Sequence, residues 1–440
     1  MKRRLYGLLM VATLVLIAQQ QLLQRRPPRL VEIKPEPIHS GSTALNVRFS
    51  RPMQRSSVAT TSVLKPSLKH RWLGTDTPLR LIVDADRPIE AAVELTIAGT
   101  DQRGNALQPQ RWWWDPRPWL LVSRVTDEGE QLQLLTREEK WQPLSPVWSQ
   151  IQTIVPLGNG RGVAMVSSDG NREERIWWKR LIPHTIATDR SELTQPTALA
   201  LEPLLESDVL FAHLSSNLIG DLLVQSGGLT PGSERFELIR SNGKRQQLDL
   251  LASGPMQLLP GGGGLIVPTY NGLTLRPLID TDKPAQVLPG SREVGALCAA
   301  SGRAVLIRHW PDYRRSIELV IPGLAPKQLW LGEQAVLAVS CNSSGNQIWA
   351  VLGSWQGEEG QHEIIQISGD GTIRDRMNMS PWTLKPGTPL QFDPISQRLL
   401  LTVTKTELDN GRPGLINATP LSWDRILPVA INEAQWLIAG

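Results

Sequence analysis

The strongest constraint on this chain is a unit that recurs along it, and Ala335–Arg374 shows it whole. That stretch reads as a strand, a tight turn at Asn342–Asn346, a second strand to Leu352, a polar loop, a third strand, the turn Gly369-Asp370-Gly371 and a fourth strand. Its second half recurs in seven hairpins, beginning at Trp119, Arg175, Arg235, Gly272, Ser316, His362 and Gly414. The last six are each preceded by a first-half hairpin, beginning at Thr153, Leu210, Gln257, Ala296, Ala338 and Leu390. Gly262, Gly302 and Gly345 mark equivalent turns at a spacing of roughly 40 residues, the period of four-stranded blades arranged around an axis.

Seven second halves against six first halves leave a deficit. It is made good if the carboxyl end, Ala430–Gly440, returns to supply the inner strand of the blade opened at Trp119, which also removes a free sheet edge. Seven blades are therefore expected, with six as the alternative should the first or last hairpin be misread. The 34 Pro, 36 Gly and 16 Trp, beside only 4 Phe and 3 Tyr, suit a chain of short strands and turns.

Upstream, residues 29–108 show strand alternation in Leu45–Phe49, Leu79–Val83 and Val93–Ile97. The opening Pro35-Glu36-Pro37, the phrase FSRPMQRSSV (Phe49–Val58) and the closing TIAGTDQRGNAL (Thr96–Leu107) resemble the bacterial Ig-like domain of the S-layer and cell-surface (SbsA) type. That resemblance implies a spacer or adhesive module with no shared catalytic site. In it Pro52 interrupts a strand and Met53 tucks into the sandwich. Residues 109–118, with Trp112-Trp113-Trp114, read as a linker that wedges the two domains together. Residues 119–440 resemble a TolB-like or WD-repeat-like β-propeller, through the strand-Asp-Gly-strand hairpin; the Trp-Asp pair that marks WD repeats occurs once, at Trp423-Asp424.

The amino terminus carries Lys2-Arg3-Arg4 before an apolar run, and Leu5–Leu23 as helix reaches about 28 Å, enough to cross a bilayer. No small-x-small cleavage site precedes Gln19, so residues 1–28 are expected to be an uncleaved, single-pass anchor and its membrane-proximal segment; secretion after signal cleavage is the alternative. The charge bias places the amino end in the cytoplasm and the bulk outside, in the periplasm or at the cell surface. Cys298 and Cys341 occupy the same place in successive repeats, which favours two buried free thiols over a bridge.

The all-β reading puts the loops between the second and third strands of each blade on one face. Candidate binding residues there are Arg172, Tyr270, Arg308, His309, Trp310, Tyr313, Arg314, Arg315, Trp355, Glu358, His362 and Lys405, a mixture of charge and aromatics suited to a protein or glycan partner. The richest loop is Arg308–Ser316, whose Trp310 and Arg314 are the types found in interface hot spots. Ordinary solvated loops have similar composition. A formal charge of +4 from 46 basic and 42 acidic residues, with the basic ones scattered, does not indicate nucleic acid.

No nucleophile elbow, His-Glu-x-x-His or phosphate loop is present, and the six histidines lack ligand spacing, so no catalytic residue, metal or cofactor is expected. The sequence supports a membrane-anchored binding or scaffold protein of the envelope. The alternative is an extracytoplasmic hydrolase or lyase with residues gathered across blades, to be recognised by two carboxylates, or a His with a carboxylate, within about 6 Å at the channel mouth.

Overall fold

The computed structural model describes residues 10, 12–16, 19, 26–36, 41–170, 173–205, 208–228, 230, 232–279, 284–299, 302–356, 359–406 and 409–439. Strands dominate, as expected. Among the described residues no helix is long and apolar enough to cross a membrane, and most of the 5–23 stretch expected as an anchor lies outside them.

Residues 30–114 supply seven strands of two four-stranded sheets. One runs Leu30–Glu36, Thr43–Phe49, Leu79–Val83, His70–Leu73; the other runs Ala106–Trp114, Val93–Thr100, Val63–Lys65, with Ile186–Ala187 added at its edge. Val93–Thr100 alternates buried and half-buried along its whole length, the period of a strand with one face on a core. Leu45, Val47, Leu79 and Leu81 from the first sheet meet Leu64, Val93, Leu95 and Ile97 from the second in one cluster. Met53 is buried in that cluster, as the sequence suggested. The short helix Arg55–Thr61 closes one end over Gly99, where φ is +147° and a Cβ would lie 2.7 Å from Val58 Cγ2.

Seven antiparallel sheets follow among the described residues. Sheet 1 is Ile431–Leu437, Trp119–Thr126, Gly129–Leu135, Trp141–Trp148; sheet 2 is Gln150–Pro156, Gly162–Ser168, Glu174–Ile182, Thr197–Pro203. Sheet 3 is Phe211–Ser216, Leu222–Gly227, Arg235–Ile239, Arg245–Leu248; sheet 4 is Gln257–Leu258, Gly264–Thr269, Gly272–Pro277, Gln286–Pro289. Sheet 5 is Arg292–Cys298, Arg303–His309, Arg315–Val320, Lys327–Gly332; sheet 6 is Ala335–Cys341, Gln347–Gln356, Glu359–Ser368, Ile373–Asn378. Sheet 7 opens with a split strand, Thr383–Leu384 and Gln391–Asp393, both paired to Arg398–Thr404, and continues through Arg412–Ala418 and Leu421–Ile426.

The cores of these sheets lie between them. Trp119 and Leu132 of sheet 1 pack on Ile154 and Val163 of sheet 2; Ala164 and Ile176 of sheet 2 on Leu222 and Val224 of sheet 3; Leu223 and Leu238 of sheet 3 on Leu265 and Val267 of sheet 4. Ile266 and Leu273 continue to Leu306 of sheet 5, Val305 and Ile317 to Ile348 and Ile365 of sheet 6, and Val351 and Ile364 to Leu399 and Ile416 of sheet 7. Leu400 and Leu415 of sheet 7 then meet Leu120, Val122 and Ile431 of sheet 1. Each second strand is thus covered on both faces, which is why Gly162–Ser168 is buried throughout and reads as a continuous run rather than an alternation. The carboxyl strand pairs antiparallel with Trp119–Thr126, Leu437 opposite Trp119. Fully burying each large apolar side chain contributes about 1.5–3 kcal/mol.

Gly262, Gly302 and Gly345 have φ of +76°, +64° and +67°, so the spacing noted in the sequence marks the same left-handed turn in sheets 4, 5 and 6. The free-thiol expectation is overturned. Cys298 and Cys341, the last residues of the first strands of sheets 5 and 6, form a disulfide with Cα atoms 5.8 Å apart. Equivalent positions on consecutive sheets are also neighbours in space, so positional equivalence favours a bridge.

The segment expected as a linker, 109–118, divides in two. Its three tryptophans end the Ala106–Trp114 strand, with Trp114 0 % exposed in the sandwich core, and Trp113 and Trp114 pair with Ala187 and Ile186. Asp115 then accepts from Arg117 Nη2 at 2.7 Å and faces Arg137 Nε at 3.2 Å, while Arg137 Nη1 donates to the Pro118 carbonyl at 2.7 Å. Burial of Arg137 lowers its pKa to about 10. The Ile395 carbonyl accepts from Ile89 N–H at 2.9 Å and Gln397 Nε2 donates to the Ala85 carbonyl at 3.0 Å, seating the sandwich on turns of sheet 7 as well.

Candidate binding face

In every sheet the strands alternate in direction, so the hairpins joining second and third strands emerge at one end of the array. Three consecutive sheets place an exposed aromatic at or beside that hairpin: Tyr270 on sheet 4, fully exposed, Tyr313 on sheet 5, 86 % exposed, and Trp355 on sheet 6, 74 % exposed. Tyr313 has φ of +65°, a conformation uncommon for a residue with a Cβ. The turn is held by Tyr313 N–H on the Trp310 carbonyl and Trp310 N–H on the Arg314 carbonyl, both 3.1 Å, and Arg315 Nη1 donates to the Tyr313 carbonyl at 3.0 Å.

The rest of the Arg308–Arg315 loop is internally engaged. The Arg308 guanidinium lies 3.7 Å from the Trp310 ring centroid and 3.5 Å from Glu318, which also accepts from the buried Arg292 at 2.8 Å. Trp310 Nε1 donates to Ser316 Oγ at 2.9 Å, His309 Nε2 lies 3.3 Å from Glu293 Oε1, and Arg314 pairs with Asp312 at 2.7 Å. Trp310, Arg308 and Arg314 therefore shape the loop, and Tyr313 is the side chain it displays. His362 also has a building role: its Nδ1 accepts from Leu384 N–H at 2.8 Å across the step from sheet 6 to sheet 7, and burial lowers its pKa. Arg172 and Glu358 lie outside the described residues.

Lys405 lines a pocket of about 430 Å³ on the same face, with Trp382, Asp409, Asn410, Arg412 and Pro428. A second cavity, about 680 Å³, runs along the first strands of sheets 1 to 4 and is lined by Gln152, His213, Ser215, Gln257, Gln435 and Trp436. A third, about 800 Å³, lies between Glu36 of the sandwich and sheets 2 and 3, where Arg180 pairs with Glu202 at 2.6 Å.

One polar group was not foreseen. Glu433 Oε2 accepts from Ile154 N–H at 3.1 Å and Glu130 Oε2 from Ile151 N–H at 2.9 Å; Lys385 Nζ donates to Asn432 Oδ1, and Asn432 Nδ2 donates to the Ile151 carbonyl at 3.0 Å. Burial pushes Glu433 up to about 7, raises Glu130 and lowers Lys385. These residues are far apart in sequence and meet only where sheets 7, 1 and 2 adjoin, so no motif could announce them. Among the described residues no cluster of three or more His, Cys, Asp or Glu could hold a metal ion.

No family model matches the chain, and no curated protein matches it. Among solved structures it is similar to TolB from Acinetobacter baumannii at 12 % identity and a TM-score of 0.41, covering 72 % of this chain and 79 % of that one. It is also similar to the β-propeller domain of the Trilobed protease from Pyrococcus furiosus, at 11 % identity and a TM-score of 0.43, covering 80 % and 95 %. A functionally unknown protein from Desulfotomaculum acetoxidans aligns at 9 % identity and a TM-score of 0.46, covering 72 % and 98 %. These likenesses say nothing of ligand or activity.

Proposed function

We propose that this chain is a membrane-anchored envelope protein in which an Ig-like module of the bacterial cell-surface type carries a seven-bladed propeller, and that the hairpin face of the propeller captures a protein or cell-wall glycan. The observation that carries the reading is the row Tyr270, Tyr313 and Trp355, three exposed aromatics on consecutive sheets of one face. Aromatic side chains held out on ordered turns are anchors for partners, because they bring large contact area at small entropic cost. Seven clusters linking seven sheets in cyclic order support the blade count. The Cys298–Cys341 bridge supports an oxidising, extracytoplasmic location.

The full chain in detergent, challenged with membrane extract and with isolated cell wall, should retain a component that the triple variant Tyr270→Ala, Tyr313→Ala, Trp355→Ala does not retain at unchanged melting temperature. Equal retention by parent and variant would overturn the proposal. The Glu130, Lys385 and Glu433 group favours a second reading as an extracytoplasmic hydrolase or lyase. Against it, Glu433 is 9 % exposed and both its oxygens already accept hydrogen bonds, from Ile154 N–H and Gln435 Nε2.

A further inference from the structure

We propose that the pocket formed by Trp382, Lys405 and Arg412 on sheet 7 is a subsite for a carboxylate-bearing sugar of an acidic glycan. The inference rests on the binding-face reading above and gives one part of that face its ligand class. Lys405 Nζ lies 5.2 Å, and the Arg412 guanidinium 5.8 Å, from the centroid of the same Trp382 ring. Two cations on one indole repel each other, and the π face offsets only part of that cost. Among the described residues neither makes an ion pair. An incoming anion between them relieves the repulsion and gains charge-assisted hydrogen bonds, with the guanidinium fork matching a carboxylate.

The remaining wall selects a sugar over a bare anion. Pro428 presents apolar surface for a ring face, Asn410 an amide for sugar hydroxyls, and Asp409 a hydroxyl acceptor whose own negative charge disfavours a doubly charged phosphate more than a singly charged sugar carboxylate. About 430 Å³ accommodates one or two sugar units, at the small end of ligand pockets. Trp382 packs against the core shared by sheets 6 and 7, so the platform is held rigidly, whereas Lys405 and Arg412 are exposed and free of the cores.

The test is calorimetric titration of the full chain in detergent with trigalacturonate, and with maltotriose, triglutamate and inorganic phosphate as separate probes. Trigalacturonate is expected to bind, and Lys405→Ala and Arg412→Ala each to weaken it by about tenfold or more, the scale of one charge-assisted hydrogen bond. On the unmodified chain, about 0.5 M NaCl should abolish the interaction. Equal binding of maltotriose, salt-insensitive binding, or an unaffected double variant would overturn the proposal; triglutamate or phosphate binding as tightly would overturn the sugar assignment. Failure here with the aromatic triple variant still losing its partner leaves the face intact and removes only this subsite. Trigalacturonate binding with unchanged capture by the triple variant removes the face reading instead.

Discussion

Glu433 lies where the carboxyl strand closes onto the first sheet, and its ionisation gives that seam a measurable pH signature. Burial holds its pKa at about 7 against an ordinary 4.5, overcoming the donors Ile154 N–H and Gln435 Nε2 and the nearby Lys385 cation. Below about pH 4.5 folded and unfolded chains both keep the proton, and the group is neutral toward stability. Between 4.5 and 7 the unfolded chain has released it while the folded chain retains it. The folded state then binds more protons, so stability falls as pH rises. Above about 7 both states are ionised and the loss is complete, roughly 3 kcal/mol at about 1.36 kcal/mol per unit. Glu433→Gln cannot ionise. Urea unfolding followed by tryptophan fluorescence should therefore show the stability difference between variant and parent shifting by about 3 kcal/mol from pH 4 to pH 8, in the variant's favour. Glu130, also raised by burial, is present in both proteins, whereas Lys385, lowered by burial and facing Glu433 directly, is coupled to it, so the difference reports the Glu433–Lys385 pair. Parallel curves for parent and variant would refute a buried, protonated Glu433.

Removing the bridge with Cys298→Ala should cost about 4 kcal/mol, from the loop-closure entropy of a cross-link spanning 43 residues; coincident urea midpoints for the variant and the oxidised parent would contradict it. Trp310→Ala should lower stability by about 1–2 kcal/mol, through loss of the Arg308 stacking and the Ser316 hydrogen bond. Unchanged unfolding with reduced partner capture would restore Trp310 to the role its sequence context suggested.

Much of the architecture was legible because strands, turns and their recurrence are local. Gly262, Gly302 and Gly345 recur at one position of the repeat, and each occupies a left-handed turn that only glycine adopts cheaply. The deficit of one first-half hairpin pointed to the carboxyl strand, which does pair with Trp119–Thr126. The site was less legible. Arg308, Trp310 and Arg314 carry the composition of a hot spot, yet composition does not say whether a cation faces a partner or its own neighbour. Here Glu318, Ser316 and Asp312 take those side chains first.

By itself the sequence determined the repeating four-stranded unit, the turn positions, the sandwich strands and the exposed hairpin tips, because backbone preference and alternation act over a few residues. Tertiary structure decided what depended on which repeats adjoin. It joined Cys298 to Cys341, turned the tryptophan run into a sandwich strand, and brought Glu130, Lys385 and Glu433 together across the closure. It also placed Lys405 and Arg412 on one indole. Closing a chain of sheets makes its first and last members neighbours, so the contacts at that seam join residues about 300 positions apart, beyond the reach of any local pattern.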